Sequence, residues 1–103
     1  MSDNLTCSIL NMPEYETRTY SEYRPSGLHC NTFVRIEDAY RYAKNKHPEF
    51  AIGVFHALGF LGEEYGEVVR EITKQKDGWE ERMQKELLDL IAVALRMLMG
   101  EWK

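Results

Sequence analysis

Between Val54 and Ile72, six apolar side chains recur in an i, i+4, i+7 rhythm: Val54, Leu58, Leu61, Tyr65, Val68 and Ile72. At about 100° per residue they fall within roughly 40° of one line, which predicts a helix over about Pro48 to Lys76 with one apolar stripe. A strand would place alternate members of this set on opposite faces, so the period excludes one here. Asp77-Gly78 then breaks the pattern, with Gly78 suited to a left-handed cap. A second helix follows from about Trp79 to near Lys103, opened by Glu80 and Glu81 as the helix dipole prefers. From Leu87 it is apolar almost all round, which in so small a domain points to burial shared with a partner subunit. Two long helices joined by a tight turn imply an antiparallel hairpin. A shorter helix from about Ile36 to Lys46 precedes them and stops before His47-Pro48. The expected fold is therefore all-α, a helical bundle built on that hairpin and completed by oligomerisation.

Residues 1–35 read differently. Pro13, Pro25 and Gly27 punctuate them, and Tyr15, Tyr20, Tyr23, Arg18 and Arg24 are scattered between. They form an irregular N-terminal segment whose aromatics pack onto a helical domain of residues 36–103, one domain overall. The length of 103 residues supports one core and no more. Cys7 and Cys30 read as two free thiols in a reducing cytosol rather than a disulfide. A zinc site from Cys7, His29, Cys30 and His47 matches no recognised ligand spacing.

Composition limits the partners. A net charge of −4 argues against a protein that grips a nucleic-acid polymer, which needs a basic face. The longest apolar run, Leu87 to Met99, contains Asp89 and Arg96 and falls well short of the roughly 20 apolar residues that span a bilayer. Met1 to Thr6 have neither the basic start nor the apolar stretch of a secretory signal. These features imply a soluble, cytoplasmic protein.

The chemistry lies in the carboxylates. Glu63, Glu64, Glu67 and Glu71 belong to the first long helix, Glu86 and Asp89 to the second. Glu64 and Glu67, like Glu86 and Asp89, are three apart and share a helix face, so each pair can close on one ion. The Glu64–Glu67 face also carries Gly53, Ala57 and Phe60. Small side chains there leave room for a ligand, and Phe60 either touches a base or sugar or packs in the core. Asp89 stands within Leu87-Leu88-Asp89-Leu90-Ile91, where a buried carboxylate without a partner costs several kcal/mol. Few lysines or arginines stand near these pairs, which leaves a cation as the expected partner. The hairpin brings the two pairs opposite each other, and a hard, oxygen-preferring ion such as Mg²⁺, or Mn²⁺ in its place, would turn mutual repulsion into binding. His56 reads as a helix-surface or packing histidine rather than a ligand, and Trp79 and Trp102 as packing or interface anchors at the helix ends.

The run Glu63-Glu64-Tyr65-Gly66-Glu67, then eighteen residues, then Glu86-Leu87-Leu88-Asp89 resembles the EExxE…ExxD signature of the MazG-like nucleoside triphosphate pyrophosphohydrolases. His56-Ala57-Leu58-Gly59-Phe60-Leu61-Gly62, just before it, is also similar to small family members, and the likeness covers roughly residues 50–98. The resemblance implies an all-α bundle of dimers or dimers of dimers. It implies Mg²⁺-dependent hydrolysis of a (deoxy)nucleoside triphosphate to monophosphate and pyrophosphate, including phosphoribosyl-ATP or dUTP variants of that reaction. Carried over, Glu64, Glu67, Glu86 and Asp89 would hold the metal and Glu63 would be an accessory carboxylate that orients a ligand or the attacking water. Family members often place Lys or Asn residues on phosphate beyond the second motif. Here Arg96 is the nearest basic residue on that face, and it either pairs with Asp89 or contacts phosphate; Arg18, Arg24, Lys44 or a neighbouring subunit are the other sources. A non-catalytic helical module that oligomerises or senses nucleotides is the alternative reading.

Overall fold

The computed structural model describes residues 27–103. Expectations for Cys7, Tyr15, Arg18, Tyr20, Tyr23 and Arg24 lie outside the described residues. The chain divides into two compact units, 1–35 and 36–103. Three helices make up the regular structure of the described residues: α1, Cys30–Lys46; α2, Val54–Lys74; and α3, Trp79–Leu98. None of them is long and apolar enough to cross a membrane.

α1 begins six residues before the expected Ile36. His29 provides the start: its Nδ1 accepts the Asn31 N–H at 3.0 Å and its carbonyl accepts the Phe33 N–H at 3.1 Å. A capping imidazole replaces the usual Ser, Thr or Asp, so no ordinary start signal marks the position. The end falls as expected before His47-Pro48, where the proline ring disfavours helical geometry at the preceding residue.

α2 starts at Val54 rather than near Pro48. Gly53 has φ 89°, a value outside any right-handed helix, and its N–H donates to the Trp102 carbonyl at 3.0 Å. The chain must therefore turn at Gly53 before helical bonding begins with Ala57 N–H on the Gly53 carbonyl. His56 supports the same corner by accepting the Ile52 N–H on Nδ1 at 3.0 Å. At its other end α2 closes on Gln75 in the left-handed conformation, φ 49°, while Gly78 serves as the N-cap of α3. Gly78 takes the expected left-handed conformation, φ 79°, and Gln75, a residue with a Cβ, takes it as well where α2 closes.

α2 and α3, connected by residues 75–78, pack on each other, and Ala57 and Val68 on α2 and Ala92 on α3 are the buried apolar residues among those described. No large side chain among them is fully buried. The face of α2 that is buried or half-buried carries Ala57, Leu61, Glu64, Glu67, Val68 and Glu71. It is turned by roughly 75° from the apolar line, at about 100° per residue. Of the expected core stripe only Leu61 and Val68 lie on it; Val54, Leu58, Tyr65 and Ile72 are exposed. Glu64, Glu67 and Glu71 of α2 are thus half-buried, while four of the six residues of its apolar line are exposed.

Candidate metal centre

Three carboxylates meet where α2 lies beside α3. Glu64 comes from α2, Glu86 and Asp89 from successive turns of α3, and one oxygen of each lies within 4.8 Å of the others. All three residues are half-buried. The i, i+3 spacing of Glu86 and Asp89 keeps both on the side of α3 that meets Glu64. Their charges act on one another. Burial, then the negative charges of Asp89 and Glu86, push the Glu64 carboxyl above its ordinary value, with Lys85 opposing.

Asp89 departs from expectation. Its side chain is 36% exposed, and Lys85, one turn earlier, donates to Oδ2 at 2.8 Å. That hydrogen bond is the leading reason the Lys85 ammonium is held above its usual range, with Asp89, Glu86 and Glu64 adding to it by charge. Asp89 and its apolar neighbours Leu87, Leu88, Leu90 and Ile91 are all half-buried, so the apolar run does not enclose the carboxylate. Cations are also less sparse than expected. Lys85 stands four residues from Asp89, and Arg70, three residues after Glu67, forms an ion pair with it. Both partners were legible as i, i+3 and i, i+4 spacings.

The remaining candidates are placed as follows. Glu67 points to Arg70 and does not join the three-carboxylate group. Glu63 is exposed. Glu71 accepts the Arg82 Nε–H at 3.0 Å, and Arg82 also donates to the Asp77 carbonyl at 2.8 Å, which ties the α2–α3 connection. Phe60 is half-buried against His56 and Phe50, with ring centroids 4.7 and 5.8 Å away, and so packs at the start of α2. His56 is exposed, with one ring face against Phe60. A shallow depression of about 580 Å³ beside the connection is lined by Arg70, Lys74, Lys76 and Arg82 with Glu71 and Asp77, and by none of the three clustered carboxylates.

Arg96 pairs with Glu101 and not with Asp89. It is 2% exposed, and its Nε donates to Glu101 Oε1 at 2.6 Å. Its terminal nitrogens donate to the carbonyls of Ala43 at 3.3 Å and Pro48 at 3.2 Å, and the guanidinium lies 4.8 Å from the Phe50 ring centroid. Glu101 also accepts from Tyr40 and, at 3.3 Å, from Lys44. Arg96 therefore fastens the end of α1 and the α1–α2 connection to the end of α3. Lys44, another expected phosphate contact, is engaged in the same knot. Glu101 reaches it because Gly100, φ 77°, reverses the chain after α3, a turn that glycine makes without the Cβ penalty.

The three carboxylates can be tested against a hard divalent ion. Two oxygens on one Mg²⁺ at about 2.1 Å lie at most about 4.2 Å apart. The observed spread of 4.8 Å is close enough for small side-chain rotations to close it. An all-carboxylate set suits Mg²⁺ or Mn²⁺ and lacks the nitrogen and sulfur donors that zinc prefers. Comparison of the chain with protein-family models, with curated proteins and with solved structures finds no match.

Proposed function

We propose that this protein is a Mg²⁺-dependent nucleotide pyrophosphohydrolase that cleaves a (deoxy)nucleoside triphosphate to the monophosphate and pyrophosphate. It would work as a homodimer or homotetramer built on an antiparallel α2–α3 hairpin. The observation that carries the reading is the convergence of Glu64, Glu86 and Asp89, from two helices, with oxygens within 4.8 Å. The likeness of residues 63–67 and 86–89 to the MazG-like signature supplies the reaction class.

In this reading Glu64, Glu86 and Asp89 would hold the ion. Glu67 joins them on the resemblance alone, by exchanging Arg70 for the ion. Bound there, Mg²⁺ would neutralise phosphate charge and stabilise the charge gathering on the leaving group. Water adds to the α-phosphorus, the bond from that phosphorus to the α–β bridging oxygen breaks, and pyrophosphate leaves with that oxygen. Glu63, exposed on the turn before Glu67, is the accessory carboxylate that orients the water. This reading assigns Arg96 no phosphate contact, since it is buried and donates to Glu101 and to the Ala43 and Pro48 carbonyls.

Pyrophosphate release from a panel of NTPs and dNTPs, with Mg²⁺ and with EDTA, tests the proposal. Release that requires Mg²⁺ and favours one nucleotide is expected. No release from folded protein would instead support a non-catalytic, oligomerising or nucleotide-sensing module. The ion pairs of Asp89 with Lys85 and Glu67 with Arg70 favour that second reading, because both carboxylates already have a cation.

Lys85 gives a sharper check. It competes for Asp89 and places a positive charge beside the site, but its side chain is 70% exposed, so the pair contributes little. Lys85→Met is expected to tighten Mn²⁺ binding roughly two- to five-fold, as a surface pair of this kind allows. Titration followed by electron paramagnetic resonance reads this directly, and weaker binding in the variant would count against an ion between Glu64 and Asp89.

A further inference from the structure

We infer that the depression at the α2–α3 connection binds an anion made of linked phosphates, at a site separate from the carboxylate group. Arg70 and Lys74 line it from the end of α2, Lys76 from the connection and Arg82 from the start of α3, together with Glu71 and Asp77. The lining therefore carries four positive charges against two negative ones, in a chain whose net charge is −4. Four of the 13 lysines and arginines thus gather in one concavity, which attracts anions that the rest of the chain, more acidic still, repels.

The four cations differ in what they have to give. Arg82 is committed to the fold. Its Nε donates to Glu71 at 3.0 Å, and its terminal nitrogens donate to the carbonyls of Asp77 at 2.8 Å and Lys76 at 3.4 Å. It fixes the shape of the connection and neutralises Glu71. Arg70 pairs with Glu67 through one terminal nitrogen. Lys74 and Lys76 make no side-chain hydrogen bond or ion pair among the described residues. Gln75 accounts for their grouping: its left-handed φ of 49° ends α2 and turns the chain, so that Lys76 lines the same depression as Lys74. Arg70 and Lys74 are like charges one turn apart, which repel until an anion stands between them.

Size and lining identify the class of anion. The volume of about 580 Å³ is that of a small-molecule site and far exceeds what one phosphate fills. No apolar side chain lines it, so a ligand with an apolar body gains nothing there. With Arg82 and Glu71 occupied by each other, three cations face the single opposing charge of Asp77. Two linked phosphates bring roughly three to four negative charges, at about 1.5–2 for each, and spread acceptor oxygens across that span. A carboxylate brings one charge and leaves the lysines unmatched. Lysine suits the task, because it meets phosphate as a point charge without demanding one geometry. Free pyrophosphate and the phosphate tail of a nucleotide share this chemistry.

Neither metal nor turnover enters this site, so its test runs in EDTA and its outcome is separate from that of the hydrolase reading. Calorimetric titration of the full chain with pyrophosphate at low salt is expected to show saturable binding of one anion per chain, weakened by added salt. Lys74→Gln and Lys76→Gln should each weaken it roughly two- to five-fold, as exposed charge pairs allow, and the double variant more than either. Asp77→Asn should tighten it by a similar factor, a gain that damage to the fold would not produce. Lys46→Gln, at the end of α1, should leave it unchanged. All four side chains belong to exposed residues, so helical circular dichroism should be retained throughout. Titration with ADP separates the two sources: ADP bound at least as tightly as pyrophosphate assigns the site to a nucleotide tail, and pyrophosphate bound more tightly assigns it to free linked phosphates. Absence of pyrophosphate binding, sulfate bound equally well at the same ionic strength, or binding indifferent to Lys74, Lys76 and Asp77 would overturn the inference.

Discussion

Asp89→Asn is expected to abolish pyrophosphate release while leaving the fold intact, with Glu64→Gln and Glu86→Gln behaving in the same way. Each change keeps side-chain size and removes one negative oxygen donor from a group of three. Loss of an outer partner of a metal ligand costs 10–100-fold, so loss of a ligand itself should exceed roughly 100-fold. The fold should persist in Asp89→Asn because the side chain is 36% exposed and the amide oxygen can still accept from Lys85. Glu64→Gln adds a second signature. The carboxyl of Glu64 is pushed up by burial and by its acidic neighbours. Its folded state thus binds a proton more readily than the unfolded chain, and the stability it lends is full below its ordinary value of 4.5 and lost as pH rises through the raised one. At pH 7 the ionised group opposes folding, so Glu64→Gln should be at least as stable as the parent in thermal melts without metal. Loss of turnover together with retained or improved stability is what a site held for function produces. Turnover retained in Asp89→Asn would remove the hydrolase reading, and Glu80→Gln, exposed at the start of α3, controls for surface charge.

The parts of this molecule that were legible in its sequence are those set by periodicity. α2 and α3 follow from apolar spacing and from the break at Asp77-Gly78, and the end of α1 follows from Pro48. The starts of α1 and α2 were not legible for a definite reason. Each depends on a hydrogen bond without a sequence signature, the His29 cap in one case and the Gly53 N–H on the Trp102 carbonyl in the other. The carboxylates show a similar division. Glu86 and Asp89 were readable as a pair because one helix fixes their relation, and Glu64 could be set against them once α2 and α3 were taken to pack. The pairing of Glu67 with Arg70 rather than with the other three carboxylates is set by side-chain direction, which spacing does not give.

The apolar line of α2 carries a different lesson. Its period reports correctly that one face of the helix is apolar, but period alone does not say what covers that face. Only Leu61 and Val68 of that line are turned to the buried side, because the buried face is centred roughly 75° away at about 100° per residue, on the side that carries Ala57, Glu64 and Glu71. Helix packing joined these two needs on one helix: an inward acidic face beside α3 and an outward apolar face. Among the described residues such an arrangement buries no large side chain fully.

Glu101→Ala is expected to lower the stability of the protein by about 3–5 kcal/mol, the cost of leaving a buried charge without its partner. The Arg96 side chain is 3% exposed, and Glu101 is its one anionic partner among the contacts it makes. Without that carboxylate the guanidinium keeps two carbonyls and the Phe50 face, none of which carries a compensating charge. For a chain of this size the loss corresponds to a melting temperature lower by more than about 10 °C, a large share of the roughly 5–15 kcal/mol that holds a domain together. Arg96→Met combined with Glu101→Ala should cost less than the sum of the two, because the paired removal strands no charge. Lys44→Ala should cost under about 1 kcal/mol, since that side chain is half exposed. The acid limb gives an independent reading. Burial by itself would raise the Glu101 carboxyl, but hydrogen bonds from Tyr40, Arg96 and Lys44 outweigh it and hold the group below its ordinary value of 4.5. The stability from Glu101 is therefore present above pH 4.5 and lost as pH falls through the lowered value, and Glu101→Gln should flatten the stability–pH curve there. The same variants decide the role of Arg96. If it only fastens the helices, Glu101→Ala held well below its melting point should hydrolyse nucleotide at close to the parental rate. A fall in turnover without a matching fall in stability would return Arg96 to the phosphates.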